Sequence, residues 1–241
     1  MSEVIFDIAS CTKFRSQGGV SFELVIDKLS LLSGNFIAVT GDSGCGKSTL
    51  LDLLALVSQP TECQLFSYYE KTNQYNIKEL WQYSNENKLA EIRRKYLGYV
   101  LQTGGLLPFL TVRENIELPC KINNIKNKEI DLLAKRMEID HLLNKKPQYI
   151  SGGQRQRVAI LRALSHNPSL ILADEPTAAV DRRQADKIVA NLKELANEHQ
   201  TTIIMVTHDL RLVEPFADQY ISFEVTEISD TKTRSKCLIN E

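Results

Sequence analysis

Residues 41–48 have the types and the spacing that are needed to hold a phosphate group. They read Gly41-Asp42-Ser43-Gly44-Cys45-Gly46-Lys47-Ser48 and fit the pattern G-x-x-x-x-G-K-[ST]. Glycines let the backbone curl so that successive N–H groups point at one anion. Lys47 would neutralise the β- and γ-phosphates of a nucleotide, and Ser48 would offer its hydroxyl to Mg²⁺. A chance match on a glycine-rich turn is the alternative interpretation, because the pattern is short.

Two further positions carry side chains suited to nucleotide hydrolysis. Asp174 and Glu175 follow one apolar run and His208 follows another, so each is predicted to lie at the end of a buried strand. Asp174 would hold the Mg²⁺ shell. Glu175, one residue further and turned differently, could polarise an attacking water. Taken alone, the acid pair could equally be a solvated strand end, and His208 a surface or helix-capping histidine.

The hydrophobic pattern predicts the elements that would position these residues. Residues 35–40 are predicted to form a short buried strand and residues 50–57 an apolar helix, so the phosphate-binding sequence joins a strand to a helix. Strands alternating with helices along the chain predict an α/β fold with a mostly parallel sheet. Ligands of such sheets bind beyond the carboxyl ends of the strands, where these loops would meet.

Other segments are less regular. Residues 3–9 and 20–26 predict a hairpin ahead of the phosphate loop. Residues 64–90 lack a clear period and predict ragged strands followed by a helix from about residue 87 to 95. Residues 111–146 are predicted to be mostly helical, and the polar residues 226–241 are predicted to be frayed.

The composition of the 241-residue chain, with 43% apolar and 24% charged residues, is that of an ordinary globular protein. This length allows one sizeable domain, or a core with a smaller inserted subdomain. The net charge of −1 gives no support for binding to nucleic acid or to an anionic membrane through overall electrostatic attraction. No apolar run approaches the length of a membrane span and no signal peptide is expected, so any membrane crossing would belong to another chain.

The five cysteines are scattered and include no C-x-x-C pair. We therefore expect reduced thiols, as in the cytosol, and not a disulfide framework. Cys45 lies in the phosphate loop, where a thiol beside phosphate-binding amides could have a lowered pKa and react with alkylating reagents. The alternative is an inert small residue at this position.

A second glycine-rich sequence carries the most specific resemblance. Residues 151–157, Ser-Gly-Gly-Gln-Arg-Gln-Arg, are similar to the signature sequence of ATP-binding cassette (ABC) ATPases, which ordinary phosphate-loop ATPases lack. Over residues 3–225 the chain resembles this family, the nucleotide-binding subunits of ABC transporters. The resemblance implies a phosphate-loop ATPase core, residues 1–101 and 159–241, with an antiparallel β subdomain. It also implies an inserted all-helical subdomain, residues 102–158.

The resemblance implies roles for individual residues. Phe14 would stack on adenine, although from the sequence alone it could be an ordinary loop-anchoring aromatic. Gln102 would sense Mg²⁺ and the transmembrane partner, and His208 would touch the γ-phosphate. With Glu175, these two form the implied catalytic set, and Ser48, Gln102 and Asp174 the implied Mg²⁺ set. The implied ATP-binding residues are Phe14, Gly41, Asp42, Ser43, Gly44, Cys45, Gly46, Lys47, Ser48, Thr49, Ser151, Gly152, Gly153, Gln154 and Asp181.

The implied mechanism joins two cassettes head to tail. ATP on the phosphate loop of one copy would be covered by the glycine turn of the other, so a homodimer with two equivalent sites is expected. ATP hydrolysis would drive transmembrane permease subunits, with the cassette bound peripherally at the cytoplasmic face of the inner (cell) membrane. A nucleic-acid-linked ABC ATPase is not favoured, because the chain holds one cassette, no heptads and almost no net charge.

The resemblance extends to a subgroup. Residues 106–119 and 172–177 are similar to the lipoprotein-releasing and macrolide-exporter ATPases, which implies lipoprotein release, efflux or force transmission. The cell-division ATPase of this subgroup shares much of the pattern. The alternative function is therefore an ATP-gated regulatory or assembly module without transport.

Two departures from the family pattern are visible. Residues 178–180 read Ala-Ala-Val where the family usually has Ser-Ala-Leu, and activity is expected to survive this change. Residues 61–90 lack the usual Ser-Gly turn and are longer than typical. We hypothesise that this segment is a partner-specific surface.

Overall fold

The fold is built on one continuous mixed sheet. The computed structural model describes residues 4–178 and 180–240. The strands of this described part are β1 (Val4–Gln17), β2 (Val20–Leu32), β3 (Phe36–Val39), β4 (Glu62–Glu70), β5 (Asn73–Asn76), β6 (Leu97–Val100), β7 (Leu170–Asp174), β8 (Thr202–Val206), β9 (Gln219–Ser229) and β10 (Lys232–Asn240). The helices are α1 (Lys47–Leu54), α2 (Ile77–Gln82), α3 (Glu86–Tyr96), α4 (Val112–Ile122), α5 (Ile130–Arg136), α6 (Gly152–Leu164), α7 (Arg182–His199) and α8 (Leu210–Val213).

The order of strands separates the sheet into two halves. It runs β5-β4-β1-β2-β10-β9-β3-β8-β7-β6. Neighbours from β5 to β2 are antiparallel, whereas neighbours from β9 to β6 are parallel. The predicted α/β class, with a parallel core and an antiparallel β part, is confirmed.

The central parallel strands are buried on both faces, as their unbroken apolar sequences predict. Phe36 and Ala38 of β3 pack in one hydrophobic cluster together with α6 and α7. Ile37 and Val39 pack in the other cluster, together with α1. Because successive side chains of a strand point to opposite faces, the sheet lies between two helical layers. This arrangement fixes the carboxyl ends of the strands, from which the candidate site residues project.

The segment predicted to be mostly helical contains less helix than expected. α4 begins with a capping box, in which Thr111 and Glu114 bond each other's backbone N–H groups. After α4 the chain forms only the short α5 and two 3₁₀ turns before α6. α6 continues to Leu164, past the predicted subdomain boundary at residue 158. The division into core and helical subdomain therefore stays a proposal.

The prediction that residues 226–241 are frayed is wrong for the described residues up to 240. β9 extends to Ser229, and β10 is inserted between β2 and β9. The polar side chains that suggested fraying form ion pairs with acidic residues of β2, namely Arg234 with Glu23 at 2.9 Å and Lys236 with Asp27 at 2.7 Å. Residues 1–3, Ala179 and Glu241 of the predicted ranges lie outside the described part.

The expectation of reduced cysteines is wrong for one pair. Cys11 of β1 and Cys63 of β4 are directly opposite in the antiparallel register, with 4.0 Å between their Cα atoms, and they form a disulfide. The two cysteines are 52 positions apart in the sequence and are brought together by the register of the strands. Their spacing in the sequence therefore does not predict the disulfide. Cys45, Cys120 and Cys237 are free and buried. Within the described part, no helix is long and apolar enough to cross a bilayer.

Residues 61–90 form β4, β5, α2 and the start of α3, which agrees in kind with the predicted strands and helix. Tyr68, Tyr75 and Tyr96 pack together, and the hydroxyls of Tyr75 and Tyr96 lie 3.2 Å apart. Packing inside the protein therefore explains why Tyr68 and Tyr75, two of the aromatic residues of this segment, are present. Its role as a partner surface stays a hypothesis.

Candidate active site

The phosphate loop connects β3 to α1 in a conformation that requires glycine. Gly41, Gly44 and Gly46 all have positive φ angles, at 147°, 83° and 110°. A Cβ atom on Gly46 would lie 2.8 Å from the ring of Phe22. The predicted strand, glycine loop and helix therefore occur in the order and geometry that phosphate binding needs.

Lys47 lies inside the loop and not in solvent. Its side chain is buried, and its ammonium group donates hydrogen bonds to the carbonyl oxygens of Gly41 and Asp42, both at 2.7 Å. These bonds hold a positive charge within the curl of the loop. An anion bound there would face both this charge and the N-terminal end of α1.

A cleft of about 970 Å³ opens beside the phosphate loop. We call it the phosphate-loop cleft. It is lined by the loop, by Gln102 after β6, by Asp174 and Glu175 at the end of β7, and by His208 after β8. The three strand ends that the sequence singled out, and the glutamine implied by resemblance, thus meet in one place.

Glu175 is held between two polar side chains. The Gln102 amide donates to one carboxylate oxygen at 2.9 Å, and Nδ1 of His208 lies 3.7 Å from the other. Glu175 has a φ of 45°, which is uncommon for a residue other than glycine, and its N–H donates to Val206 at 3.2 Å. The carboxylate of Glu175 is thus placed between side chains that follow two other strands, β6 and β8.

Asp174 lies near Ser48, the residue that follows Lys47 in the phosphate loop, and both line the phosphate-loop cleft. Burial raises the pKa of Asp174, and the neighbouring Glu175 carboxylate raises it further, whereas Lys47 and Ser48 act in the opposite direction. A carboxylate and a hydroxyl that line the same cleft are oxygen donors of the kind that Mg²⁺ prefers.

The signature residues lie outside the phosphate-loop cleft. Ser151 begins α6 with a capping box, since its hydroxyl accepts from Gln154 N–H and Gln154 reaches back to the Ser151 N–H. Gly153 packs against the loop before α7, where an added Cβ would lie 2.8 Å from Val180. Asp181 begins α7 and accepts from the N–H of Gln184 at 3.0 Å. A single chain therefore does not bring residues 151–154 to its own phosphate loop.

Phe14 does not line the cleft. It lies on β1 opposite Glu23 and is 44% exposed. Its neighbour Arg15 lines the cleft and forms an ion pair with Asp52 of α1 at 2.7 Å. Stacking of adenine on Phe14 stays a prediction.

Sequence reasoning missed two aromatic residues of the cleft, Phe22 of β2 and Phe223 of β9. Phe22 packs against Gly46 and Phe223 against Gly41, so the two rings border opposite ends of the phosphate loop. The apolar alternation of residues 20–26 was the available signal for Phe22. Phe223 had no local signal, because β9 reaches the loop only through the sheet.

The hypothesis of a reactive Cys45 thiolate is contradicted. Cys45 is buried, and this burial raises the pKa of its thiol, an effect that the nearby Lys47 opposes only in part. The thiolate is the reactive form of cysteine, so the structure favours the interpretation as an inert small residue.

Cys45 is accordingly expected to react slowly with a thiol reagent. At pH 8, native protein should label at Cys45 at least about tenfold more slowly than protein unfolded in urea, because burial limits both thiolate formation and access. The rate can be followed by mass spectrometry of the Cys45 peptide. Native labelling as fast as unfolded labelling would restore the reactive-thiolate hypothesis.

The fold and the site define a class: an α/β protein with a phosphate loop after β3 and a second glycine-rich helix start at α6. A family profile described as "ABC transporter" matches residues 26–178, more than half of the chain. The chain belongs to the ABC transporter family, as the signature sequence indicated.

Known proteins agree with this assignment. The chain is 40% identical over 205 residues to the uncharacterized ABC transporter ATP-binding protein YvcR of Bacillus subtilis (strain 168), covering 83% of this chain and 76% of that protein. It is 36% identical over 208 residues to the uncharacterized ABC transporter ATP-binding protein MJ0796 of Methanocaldococcus jannaschii, covering 83% and 84%. A dimeric structure of a post-hydrolysis state of the MJ0796 cassette, bound to ADP and Pi, matches with a TM-score of 0.75 and 32% identity over 96% of this chain and 97% of that chain.

The chain is therefore the nucleotide-binding subunit of an ABC transporter, and it is an ATPase. ATP-binding proteins of this family work as dimers with transmembrane partners. The predictions of family, fold class and ATPase activity are confirmed.

Proposed function

We propose that two copies of this chain bind ATP and Mg²⁺ between the phosphate loop of one copy and residues 151–154 of the other. Hydrolysis then drives a transmembrane partner of the lipoprotein-releasing or macrolide-exporter kind, at the cytoplasmic face of the cell membrane. One observation carries the proposal. The ends of three separate strands bring Lys47, Asp174, Glu175 and His208 into one cleft.

The residues of the cleft fit a magnesium nucleotide. Ser48, Gln102 and Asp174 all line this cleft, so these three would hold Mg²⁺. The metal would supply charge compensation for the phosphate oxygens. The Lys47 ammonium group adds a fixed positive charge to the loop.

Glu175 is suited to act as the general base. Its carboxylate is fixed by Gln102 at 2.9 Å, and one oxygen faces His208 at 3.7 Å. A carboxylate held in this way can orient a water and accept its proton. His208 is exposed, so its ring is free to approach a γ-phosphate in the cleft.

The signature residues offer the second half of the site. In the first turn of a helix the N–H groups have no intrahelical acceptor. The Ser151 hydroxyl accepts a hydrogen bond from the N–H of Gln154. The N–H groups of Gly152 and Gly153 are left available to a ligand. These groups at the N-terminus of the 13-residue α6 are suited to a phosphate carried by a partner cassette.

A groove of about 690 Å³ between α3, α4 and α6 is the proposed seat of the membrane partner. We call it the apolar groove. Its walls include Leu97, Leu107, Leu118 and Ile122, and Arg93, Arg94 and Arg162 also line it. This combination suits an amphipathic helix with acidic ends.

Arg162 connects the apolar groove to the active site. Its guanidinium donates to the carbonyl oxygens of Gly104 and Gly105 at 2.9 and 2.7 Å, which holds the loop that follows Gln102. Leu101, the residue before Gln102, also lines the groove. Occupation of the groove could therefore be transmitted to Gln102 through a short, tightly held segment.

A pull-down tests the proposed partner. Tagged Glu175→Gln protein, incubated with ATP and detergent-solubilised native membranes, should retain a membrane protein with a large periplasmic domain. The added change Ile122→Asp should abolish this capture, because Ile122 lines the groove and is 52% exposed.

The matched control is Leu132→Asp on α5, where the residue is 59% exposed and does not line the groove. It should leave capture unchanged. If only cytosolic or cell-division proteins are retained, the transport proposal fails and the regulatory or assembly alternative replaces it.

A further inference from the structure

Ser235 of β10 makes a buried hydrogen bond to the phosphate loop. Its hydroxyl donates to the carbonyl oxygen of Cys45 at 2.6 Å, across 190 positions of the sequence. Both residues are buried, so water does not compete for the bond. β10 is held independently by its pairing with β2 and β9. The phosphate loop is thus attached to the C-terminal hairpin at a defined carbonyl group.

This carbonyl group sets the direction of an N–H group of the phosphate loop. The carbonyl of Cys45 and the N–H of Gly46 belong to one planar trans peptide group, in which they point in opposite directions. A bond that holds the carbonyl toward β10 therefore holds the N–H away from β10. Gly46 lines the phosphate-loop cleft, and among the described residues no backbone carbonyl accepts from its N–H. The group is available to an anion in the cleft.

Gly46 would not keep this orientation by itself. Its φ angle of 110° lies in a region that glycine adopts as readily as negative φ values, so the local backbone has other conformations open to it. Rotation of the Cys45–Gly46 peptide would turn the carbonyl oxygen toward the phosphate and remove a donor at the same time. A fixed carbonyl prevents both effects.

We propose that Ser235 is a positioning residue for nucleotide binding, which orients the Cys45–Gly46 peptide so that the Gly46 N–H donates to a bound phosphate. The inference rests on the binding of nucleotide at the phosphate loop. It assigns to β10, a strand far from the loop in sequence, a direct part in the affinity for nucleotide.

Three variants separate this role from simple packing. Ser235→Ala removes the donor, Ser235→Thr keeps it, and Cys237→Ala removes one buried atom from the next inward-facing side chain of β10. Affinity for a fluorescent ADP analogue is measured on purified protein by titration, together with kcat and KM for ATP. Thermal unfolding is recorded for each variant so that loss of stability is measured separately.

Ser235→Ala should weaken nucleotide affinity and raise KM by about tenfold, with kcat changed by less than about twofold, since a buried hydrogen bond to the loop is lost. Ser235→Thr should restore affinity, and Cys237→Ala should bind as the unchanged protein does. Equal affinities for Ser235→Ala and Cys237→Ala would overturn the proposal. Absence of binding by the unchanged protein would instead overturn nucleotide binding itself.

A measurement on the unchanged protein covers the case in which Ser235→Ala does not fold. With glycine labelled by ¹⁵N, the amide proton of Gly46 should move downfield on addition of MgADP, because it enters a hydrogen bond to a charged oxygen. A Gly46 resonance that stays in place while other loop glycines shift would contradict the proposed donor.

Discussion

Glu175→Gln protein is expected to hydrolyse ATP at least about a hundredfold more slowly while it still binds ATP, because a positioned general base contributes a factor of this order. Gln102 and His208 lie at the two oxygens of this carboxylate, and glutamine keeps its size and one of its oxygens. ATP would then persist at the interface of two cassettes. We expect an ATP-dependent dimer of the variant in size-exclusion chromatography, together with loss of phosphate release.

Glu62→Gln is the matched control for this variant. Glu62 is an exposed residue at the start of β4 and does not line the phosphate-loop cleft, so the same chemical change there should leave turnover unaltered. A Glu175→Gln protein with the turnover of the control would remove Glu175 from the catalytic role.

Gly46→Ala protein is expected to lose nucleotide binding by at least about a hundredfold, because two costs coincide. The methyl group would lie 2.8 Å from the ring of Phe22, and φ at this position is 110°, where side chains with a Cβ are strained. The loop must move to relieve both. Titration with a fluorescent ADP analogue measures the loss.

Two controls separate the costs. Gly34→Ala introduces strain at a φ of 78° with no atom within 4 Å of the added Cβ, so it should cost stability and leave nucleotide binding unchanged. Adding Phe22→Ala to Gly46→Ala removes the collision and should recover only part of the affinity. Full recovery would show that the backbone angle at residue 46 is unimportant for binding.

The sequence predicted the parts of the site that local patterns define. β3, the phosphate loop and α1 follow one another within about twenty residues, and their apolar and glycine positions have fixed offsets. β7 and β8 are short apolar runs with polar residues after them, so the acids and His208 could be placed at strand ends. The parallel order of the strands then brings these ends together.

The features that were missed depend on pairing between distant segments. Residues 226–240, which form the end of β9 and all of β10, looked like a polar tail, because the charges of Arg234 and Lys236 find their partners on the distant strand β2. The Cys11–Cys63 disulfide depends on the register between β1 and β4. Phe223 reaches the phosphate loop only when β9 lies beside β3. The local periodicity of a sequence contains no signal for contacts between segments that are far apart in the chain.

The position of β10 has a consequence for the order of synthesis. It lies between the antiparallel half (β5 to β2) and the parallel half (β9 to β6) and pairs with one strand of each, yet the ribosome makes it after every other strand described. Before residues 232–240 emerge, no strand pairs with both halves and Ser235 cannot reach Cys45. The phosphate loop is therefore translated early, but it gains its hydrogen bond from Ser235 late. A nascent chain would gain its full affinity for nucleotide only after residues 232–240 have emerged and completed this slow long-range pairing.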